Sequence, residues 1–321
     1  MLLRSFLALF IFCLCVDLGS CPAQERIVGD VPLPENLAPE TSVEKRQVTT
    51  ADFSRVQQQV NRFVKKHGAE KVLLVVDIDN TLLAMNQDLG SDQWFSWQES
   101  LLENDPANKD LVADTFEELL RAQGMLFALS EMHPPEPDLP AMLKQIQASD
   151  VTTIVLTSRG PEFRDAAQRE LGRNGYDFSL NNLSIREQRG NFKPYDFQRP
   201  DKHGLSIEII AALGIKPRDV TYANGIYMTS GQHKGYMLKT LLARTTNKVD
   251  TDDFKAIVFA DDHPKHVVGM QEAFEDDEID VATFRYSRED GNVANFNQSS
   301  KQHAAYDWKR LHEFIGRVLV R

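Results

Sequence analysis

The sequence predicts an α/β fold with a doubly wound, Rossmann-like parallel sheet, because short apolar segments alternate with stretches of helical periodicity. Three segments carry this prediction: Val72–Val76, Val151–Leu156 and Ala256–Ala260. Each has the length of a β-strand and few polar residues, which is typical of parallel strands covered on both faces. Parallel strands end at the same edge of their sheet, so we expect the polar residues that follow these segments to lie close together.

The other predicted elements continue this alternation. Helical spacing relates Phe53, Val56, Val60 and Phe63, and Gly68 ends that predicted helix. The pattern is helical from residue 94 to about 132. This stretch exceeds a normal crossover, so we expect residues 84–147 to form an inserted helical cap. The remaining predictions are helices at 141–147, 161–174, 236–245 and 308–320, a hairpin around 222–231, and a fourth strand at 280–286.

The first 21 residues are predicted to be a targeting signal. Arg4 supplies a positive charge, and Ser5–Val16 is apolar but shorter than a typical membrane-spanning helix. The segment 18–21, with the sequence LGSC, resembles the lipobox of bacterial lipoproteins, which implies a lipid anchor at Cys21; ordinary cleavage near Ala23 is the alternative. Residues 22–49 have prolines and charges without apolar periodicity, so we expect a flexible linker. The sequence thus predicts an exported protein of the periplasm or cell envelope.

Length, charge and cysteine content limit the classes of function. The 321 residues suffice for one sizeable core with an insertion, or for two modest domains. The net charge of −11 argues against a nucleic-acid-binding protein that neutralises phosphates with basic residues. All three cysteines lie within the predicted signal, so the mature chain has neither a disulfide framework nor a thiol nucleophile. A phosphorylated small molecule remains a suitable partner, because a bound metal reverses the local field of an acidic site.

Polar residues suited to phosphate chemistry follow each of the three apolar segments. Asp77, Asp79 and Thr81 come after the first segment, Thr157-Ser158-Arg159 after the second, and Asp261-Asp262 after the third. Grouped carboxylates are costly unless a cation or a reaction requires them. Structural alternatives remain for each group: an Asp-Asn turn, capping of the next helix by Thr157, a surface arginine, and a solvated acidic turn.

Together, these motifs resemble the haloacid dehalogenase (HAD) superfamily of phosphotransferases, in its Asp-x-Asp-x-Thr phosphatase branch. The resemblance implies a catalytic core formed by residues 50–83 and 148–321, with the cap inserted between them. It also implies hydrolysis through an aspartyl-phosphate intermediate. Asp77 would be the nucleophile, and Asp79 the general acid and base that protonates the leaving oxygen and then activates water.

The resemblance also implies a phosphate-binding group and a cation. Thr157, with Ser158 and Arg159, would bind the phosphoryl oxygens. Lys234 would neutralise the nucleophile and the phosphoryl group, and the alternatives for this role are Lys239, Lys193 and Lys202. The segment 225–235, with the sequence GIYMTSGQHKG, is similar to an uncharacterised bacterial secreted branch of the superfamily and favours Lys234.

The fourth motif implies a magnesium site. Asp262 would be a direct ligand and Asp261 would support it, although the sequence leaves their order open. Asp77 and the backbone carbonyl of Asp79 would complete an oxygen-rich site that suits Mg²⁺. The resulting hypothesis is an exported, metal-binding phosphatase that hydrolyses phosphomonoesters. The alternatives are a phosphotransferase or mutase of the same superfamily, and a non-catalytic ligand-binding protein at the cell surface.

Overall fold

The computed structural model describes residues 43–185, 190–213, 216–245 and 254–318. The predicted targeting signal and residues 22–42 of the predicted linker lie outside the described residues. Among the described residues, no helix combines the length and the apolarity that a membrane span requires.

In the part of the chain that the structure describes, seven strands form one sheet. Their spatial order is β1 (Lys45–Thr50), β9 (Asp280–Tyr286), β8 (Ala256–Asp261), β2 (Val72–Val76), β5 (Thr152–Thr157), β7 (Ile226–Met228) and β6 (Thr221–Ala223). Neighbouring strands are parallel, except that β6 and β7 form an antiparallel hairpin. The prediction of an α/β fold with a doubly wound parallel sheet is therefore confirmed. Because β5 and β8 flank β2 on opposite sides, the strand order reverses at β2, where such sheets bind their ligands.

Helices cover both faces of this sheet. The described helices are α1 (Ser54–His67), α2 (Asp92–Asn104), α3 (Phe116–Leu129), α4 (Leu139–Gln147), α5 (Arg164–Arg173), α6 (Ile207–Leu213), α7 (Lys234–Leu242), α8 (Pro264–Ala273), α9 (Asp290–Asn295) and α10 (Lys301–Val318). A second, two-stranded sheet pairs β3 (Ala84–Met85) with β4 (Met132–His133) at the base of the segment that carries α2 and α3.

Two apolar cores explain why the central strands are apolar throughout. Val72, Leu74 and Val76 of β2 pack into one core with α1, α4 and α5. Leu73 and Val75 pack into the other core with α7 and α8. Since successive side chains of a strand point to opposite faces, burial on both faces requires an unbroken apolar run.

The structure corrects the predicted start of the ordered domain. The sequence predicts a flexible linker at residues 45–49, but these residues form most of the edge strand β1, which pairs in parallel with β9. The strand is only half-buried, so its sequence lacks the apolar run of the central strands. Its Lys45 ammonium donates hydrogen bonds to three backbone carbonyls around the end of α8, which fixes the start of the strand.

The structure also changes the predicted limits of several helices. The segment 94–132 contains two helices, because residues 105–115 between α2 and α3 are not helical. The predicted cap includes helix α4, but Leu139, Leu143 and Ile146 of this helix lie in the main core. The last helix begins at Lys301 rather than at Trp308. The insertion between the two halves of the core is therefore the segment 84–133, which we call the insertion.

The C-terminal segment packs against this insertion. Trp94 of α2 and Leu119 of α3 share an apolar cluster with Phe296 and with Ala304 of α10. Trp94 also contacts Trp308, with ring centroids 6.3 Å apart. The C-terminal helices thus hold the insertion over the carboxyl end of the sheet.

Candidate active site

The candidate site begins at Asp77, the first residue after the central strand β2. Its backbone N–H donates to the carbonyl of Ala260, at 3.0 Å, and this bond continues the pairing with β8. The chain then turns sharply at Asn80, which has a φ of 54° and donates its N–H to Leu83. Asparagine tolerates this left-handed conformation better than most residues. The turn keeps Asp77 at the sheet edge, and its side chain is buried.

Lys234 lies between Asp77 and Asp261. Its ammonium nitrogen is 2.7 Å from Asp77 Oδ1 and 2.6 Å from Asp261 Oδ2. The Lys234 side chain is only 1% exposed. Burial alone would lower the pKa of Lys234, but the two carboxylates raise it above its ordinary value. The ammonium is therefore the fixed positive charge of the site.

Glycine beside this lysine brings helix α7 close to helix α8. Lys234 is the first residue of α7, rather than the residue just before the helix as predicted. A Cβ atom at Gly235 would lie 2.6 Å from the carbonyl oxygen of Gly269 in α8, which is too close for any larger residue without movement. The Lys-Gly step therefore lets α7 approach α8 closely.

The two aspartates that share Lys234 differ in their surroundings. Burial would raise the pKa of Asp261, but Lys234 and His266 lower it to about 2. Its Oδ1 also accepts the backbone N–H of His263 at 2.8 Å, and His266 Nδ1 lies 3.1 Å from the same oxygen. Burial raises the pKa of Asp77 well above its ordinary value, and Asp261 adds to this effect although Lys234 opposes it. Asp261 is thus the fully compensated carboxylate, and Asp77 is not.

Asp262 has fewer partners than Asp261. Its Oδ2 accepts a long hydrogen bond of 3.3 Å from the Asn80 amide. Burial raises the pKa of Asp262 well above its ordinary value, and the neighbouring Asp92 and Asp261 raise it further. This carboxyl group has capacity for a further positive partner.

The aspartates fit a divalent cation. Asp77, Asp261 and Asp262 each offer an oxygen, and these oxygens lie within 4.8 Å of one another. Asp77 Oδ1 is buried, and its partner among the described residues is the Lys234 ammonium. Both oxygens of Asp261 already have partners. The donor set of Asp77 and Asp262 therefore suits a hard cation that prefers oxygen ligands.

Asp79 is held by Arg159 in a two-bond pair. Arg159 Nε donates to one carboxylate oxygen at 2.9 Å and an Nη donates to the other at 2.7 Å. The guanidinium lies over the Phe127 ring of α3, 3.8 Å from its centroid. Burial would lower the pKa of Arg159, but Asp79 raises it above its ordinary value. The alternative of an ordinary surface arginine is wrong, because the Arg159 side chain is only 8% exposed.

Thr157 and Ser158 connect the end of β5 to the loop after β7. The Thr157 hydroxyl accepts the backbone N–H of Arg159 at 3.2 Å. The backbone carbonyl of Thr157 accepts a hydrogen bond from the Thr229 hydroxyl at 2.8 Å, and the Ser158 carbonyl accepts one from the N–H of Gly231 at 2.6 Å. Both residues therefore stand at a strand end adjacent to that of Asp77, and their described hydrogen bonds hold the loop in place.

The alternative lysines lie elsewhere. Lys239 pairs with Asp277, and Lys193 pairs with Asp219 on an exposed surface. Lys202 is exposed. Among the lysines that the sequence offered for this role, the structure brings Lys234 to the aspartates.

Sequence reasoning missed Asp92, Asn80 and His266. Burial raises the pKa of Asp92, and the charge of Asp79 raises it further, so the carboxyl group belongs to the same electrostatic environment. One local signal was present, because Ser91 caps α2 by accepting the N–H of Trp94. A serine cap predicts where a helix begins. It does not predict whether the first turn, which carries Asp92, faces the site.

A family model described as "Protein of unknown function (DUF2608)" matches residues 49–318, which include every residue of this site. None of the curated proteins compared with the chain matches it.

Proposed function

The chain belongs to the DUF2608 family, a family of unknown function, and we propose that it is a metal-dependent phosphatase of the HAD superfamily that hydrolyses phosphomonoesters. One observation carries the proposal. A buried, incompletely compensated carboxylate, Asp77, stands at the carboxyl end of the central strand beside the buried Lys234, with a carboxylate oxygen of Asp262 within 4.8 Å. Enzymes place such groups where charge develops during reaction, because burial leaves them reactive.

Asp77 and Asp79 divide the chemistry of two steps. In the first, an oxygen of Asp77 attacks phosphorus, the bond from phosphorus to the leaving oxygen breaks, and Asp79 gives that oxygen a proton. In the second, water attacks phosphorus, Asp79 takes the proton of the water, and the bond from Asp77 to phosphorus breaks. Inorganic phosphate and the free Asp77 carboxylate result.

Lys234 and Arg159 supply positive charge to the phosphoryl group. Lys234 is already fixed beside Asp77 by its pair with Asp261. Arg159 holds both oxygens of Asp79 in the described structure, and phosphoryl oxygens would compete for its guanidinium. Transfer of Arg159 to the phosphoryl group would release Asp79 for its proton transfers, while Thr157 contributes a hydroxyl at the adjacent strand end.

Mg²⁺ would be held by Asp77 and Asp262, with the backbone carbonyl of Asp79. Bound Mg²⁺ supplies charge neutralisation for the phosphate and the clustered carboxylates. Export of the chain, with a lipid anchor at Cys21, belongs to the same proposal and concerns residues outside the described ones. A phosphorylated small molecule is the proposed substrate.

The test is hydrolysis of para-nitrophenyl phosphate by the full chain, with Mg²⁺ and with a chelator. Asp77→Asn should abolish hydrolysis without changing the far-ultraviolet circular dichroism spectrum. Asp150→Asn is the matched control, since Asp150 is exposed at the opposite end of β5 and has a φ of 60° that asparagine tolerates. Normal turnover by Asp77→Asn would overturn the proposed mechanism.

A further inference from the structure

A cavity with polar and apolar lining residues adjoins the candidate active site. Its volume is about 340 Å³, within the range of small-molecule sites. Asn80 and Asp262 of the candidate site line it, and so do residues of α2. The lining residues that matter here from α2 and α10 are Asp92, Gln93, Trp97 and Lys301.

Two hydrogen-bond acceptors in this cavity lack partners. The side-chain oxygen of Gln93 is buried and accepts no hydrogen bond. Within the described residues, no hydrogen bond or ion pair engages the Asp92 carboxyl group. Buried acceptors normally find donors, because an unmet acceptor destabilises the fold. The buried Gln93 oxygen, with the half-buried Asp92 carboxyl group beside it, therefore indicates that a ligand supplies the missing donors.

The wall that carries these acceptors is fixed. Ser91 caps the helix immediately before Asp92, and the buried Trp94 ties the same turn to the C-terminal helices. The ring centroids of Trp97 and Phe296 are 6.0 Å apart. The Lys301 ammonium lies 5.9 Å from the Trp97 ring centroid. The acceptors therefore stand on a pre-organised surface, which favours recognition of a specific partner.

Acidic side chains line this cavity beside the basic Arg285 and Lys301. Arg285 lines it, but its guanidinium already bonds to the Asp262 carbonyl and to the Asp290 carboxylate. Asp92 forms no such bond with a described residue, although His263, Arg159 and Lys234 act on its charge at longer range. An occupant that donates hydrogen bonds meets both acceptors, whereas an apolar or purely accepting one leaves them unpaired.

We propose that this cavity receives the leaving group of the phosphomonoester, and that Asp92 and Gln93 select a leaving alcohol that carries further hydrogen-bond donors. The inference rests on the proposed phosphatase function. Hydroxyl groups of a polyol and the ammonium of an amino alcohol share this chemistry. A site built to pair with substrate donors discriminates strongly against analogues that lack them, because its own polar groups are then left unpaired.

The test compares three phosphomonoesters by kcat/KM: glycerol phosphate with hydroxyl donors, phosphoethanolamine with an ammonium, and phenyl phosphate with neither. The wild-type protein should prefer one of the first two to phenyl phosphate. Asp92→Asn and Gln93→Met should each lower kcat/KM for the preferred ester by about tenfold to a hundredfold, the usual effect of losing a hydrogen bond to a charged group. Their effect on phenyl phosphate should be at least tenfold smaller. If Asp92→Asn lowers kcat/KM more for phosphoethanolamine than for glycerol phosphate, the amino alcohol is identified as the leaving group.

Glu103→Gln is the matched control, because it makes the same change from acid to amide at an exposed position of α2 outside the cavity. Equal losses with all three esters, or an unchanged preference, would overturn the assignment of Asp92 and Gln93. A binding measurement distinguishes a wrong assignment of Asp92 and Gln93 from failure of the proposed phosphatase function. If no ester is hydrolysed, glycerol phosphate or phosphoethanolamine should still change the fluorescence of Trp97 in Asp77→Asn, and the added Asp92→Asn change should weaken that binding. Absence of any such binding would overturn the pocket assignment as well.

Discussion

Replacing Lys234 by methionine should destabilise the fold strongly, whatever reaction the site performs. The substitution keeps an unbranched side chain but leaves Asp77 and Asp261 without the ammonium that lies 2.7 and 2.6 Å from them. Removing one partner of a buried ion pair costs about 3–5 kcal/mol. His266 and the N–H of His263 still compensate Asp261, and the raised pKa of Asp77 lets that group take up a proton. The expected loss is therefore near the lower limit, about 3 kcal/mol.

Thermal unfolding followed by circular dichroism, at neutral pH with a chelator, measures this loss. For a domain of this size, about 3 kcal/mol corresponds to a fall of roughly 6–12 °C in Tm. Lys239→Met is the matched control from the same helix. Its partner Asp277 has a side chain that is 42% exposed, so the loss there should stay within about 1 kcal/mol. An equal Tm for Lys234→Met and the wild type would refute the buried ion-pair arrangement.

Three further outcomes are expected. Asp79→Asn should slow hydrolysis by about 10²–10⁴-fold in steady-state assays, since it removes the proton donor and acceptor, and a much smaller loss would contradict that role. Mg²⁺ should raise the Tm of the wild type and have little effect on Asp262→Asn, because binding to the folded state alone stabilises it; an equal rise in both would place the metal elsewhere. Burial would raise the pKa of the inaccessible Glu170 carboxyl, but Arg169 and the N–H of Met132 hold the pKa below its ordinary value. Stability from this group is therefore complete above the ordinary pKa of glutamate and decreases as the pH falls through the lowered value, so acid titration of Tm should be flatter for Glu170→Gln; identical titrations would exclude this contribution.

One physical constraint, burial of the central strands on both faces, made both these strands and the residues that follow them predictable from the sequence. Strands buried on both faces must be apolar throughout, so the end of each apolar run marks the edge of the sheet. Asp77 and Asp261 stand at these ends, and their position required no knowledge of distant contacts. The meeting of Lys234 with both depended on the packing of α7 against α8, and the sequence offered three other lysines for it.

Edges and long-range packing could not be predicted in this way. The strand β1 is half-exposed and polar, so nothing in its sequence distinguishes it from a linker. Helix α4 has an apolar face that would suit a cap or a core equally well, and only the tertiary structure assigns it to the core. The contact between Arg159 and Asp79, and the proximity of Asp92 to the site, likewise depend on how separate segments pack.

The most direct test of the account is whether a phosphoryl group becomes attached to Asp77 during turnover. The protein would be mixed with a phosphomonoester and Mg²⁺, quenched in acid, and treated with borohydride, which reduces an aspartyl-phosphate to homoserine. Peptide mass mapping then locates the modified residue. The account predicts homoserine at position 77 in the wild type and in Asp79→Asn, and unmodified residues in protein incubated without substrate. Phosphate release by the wild type with no modification at Asp77 would contradict the central claim.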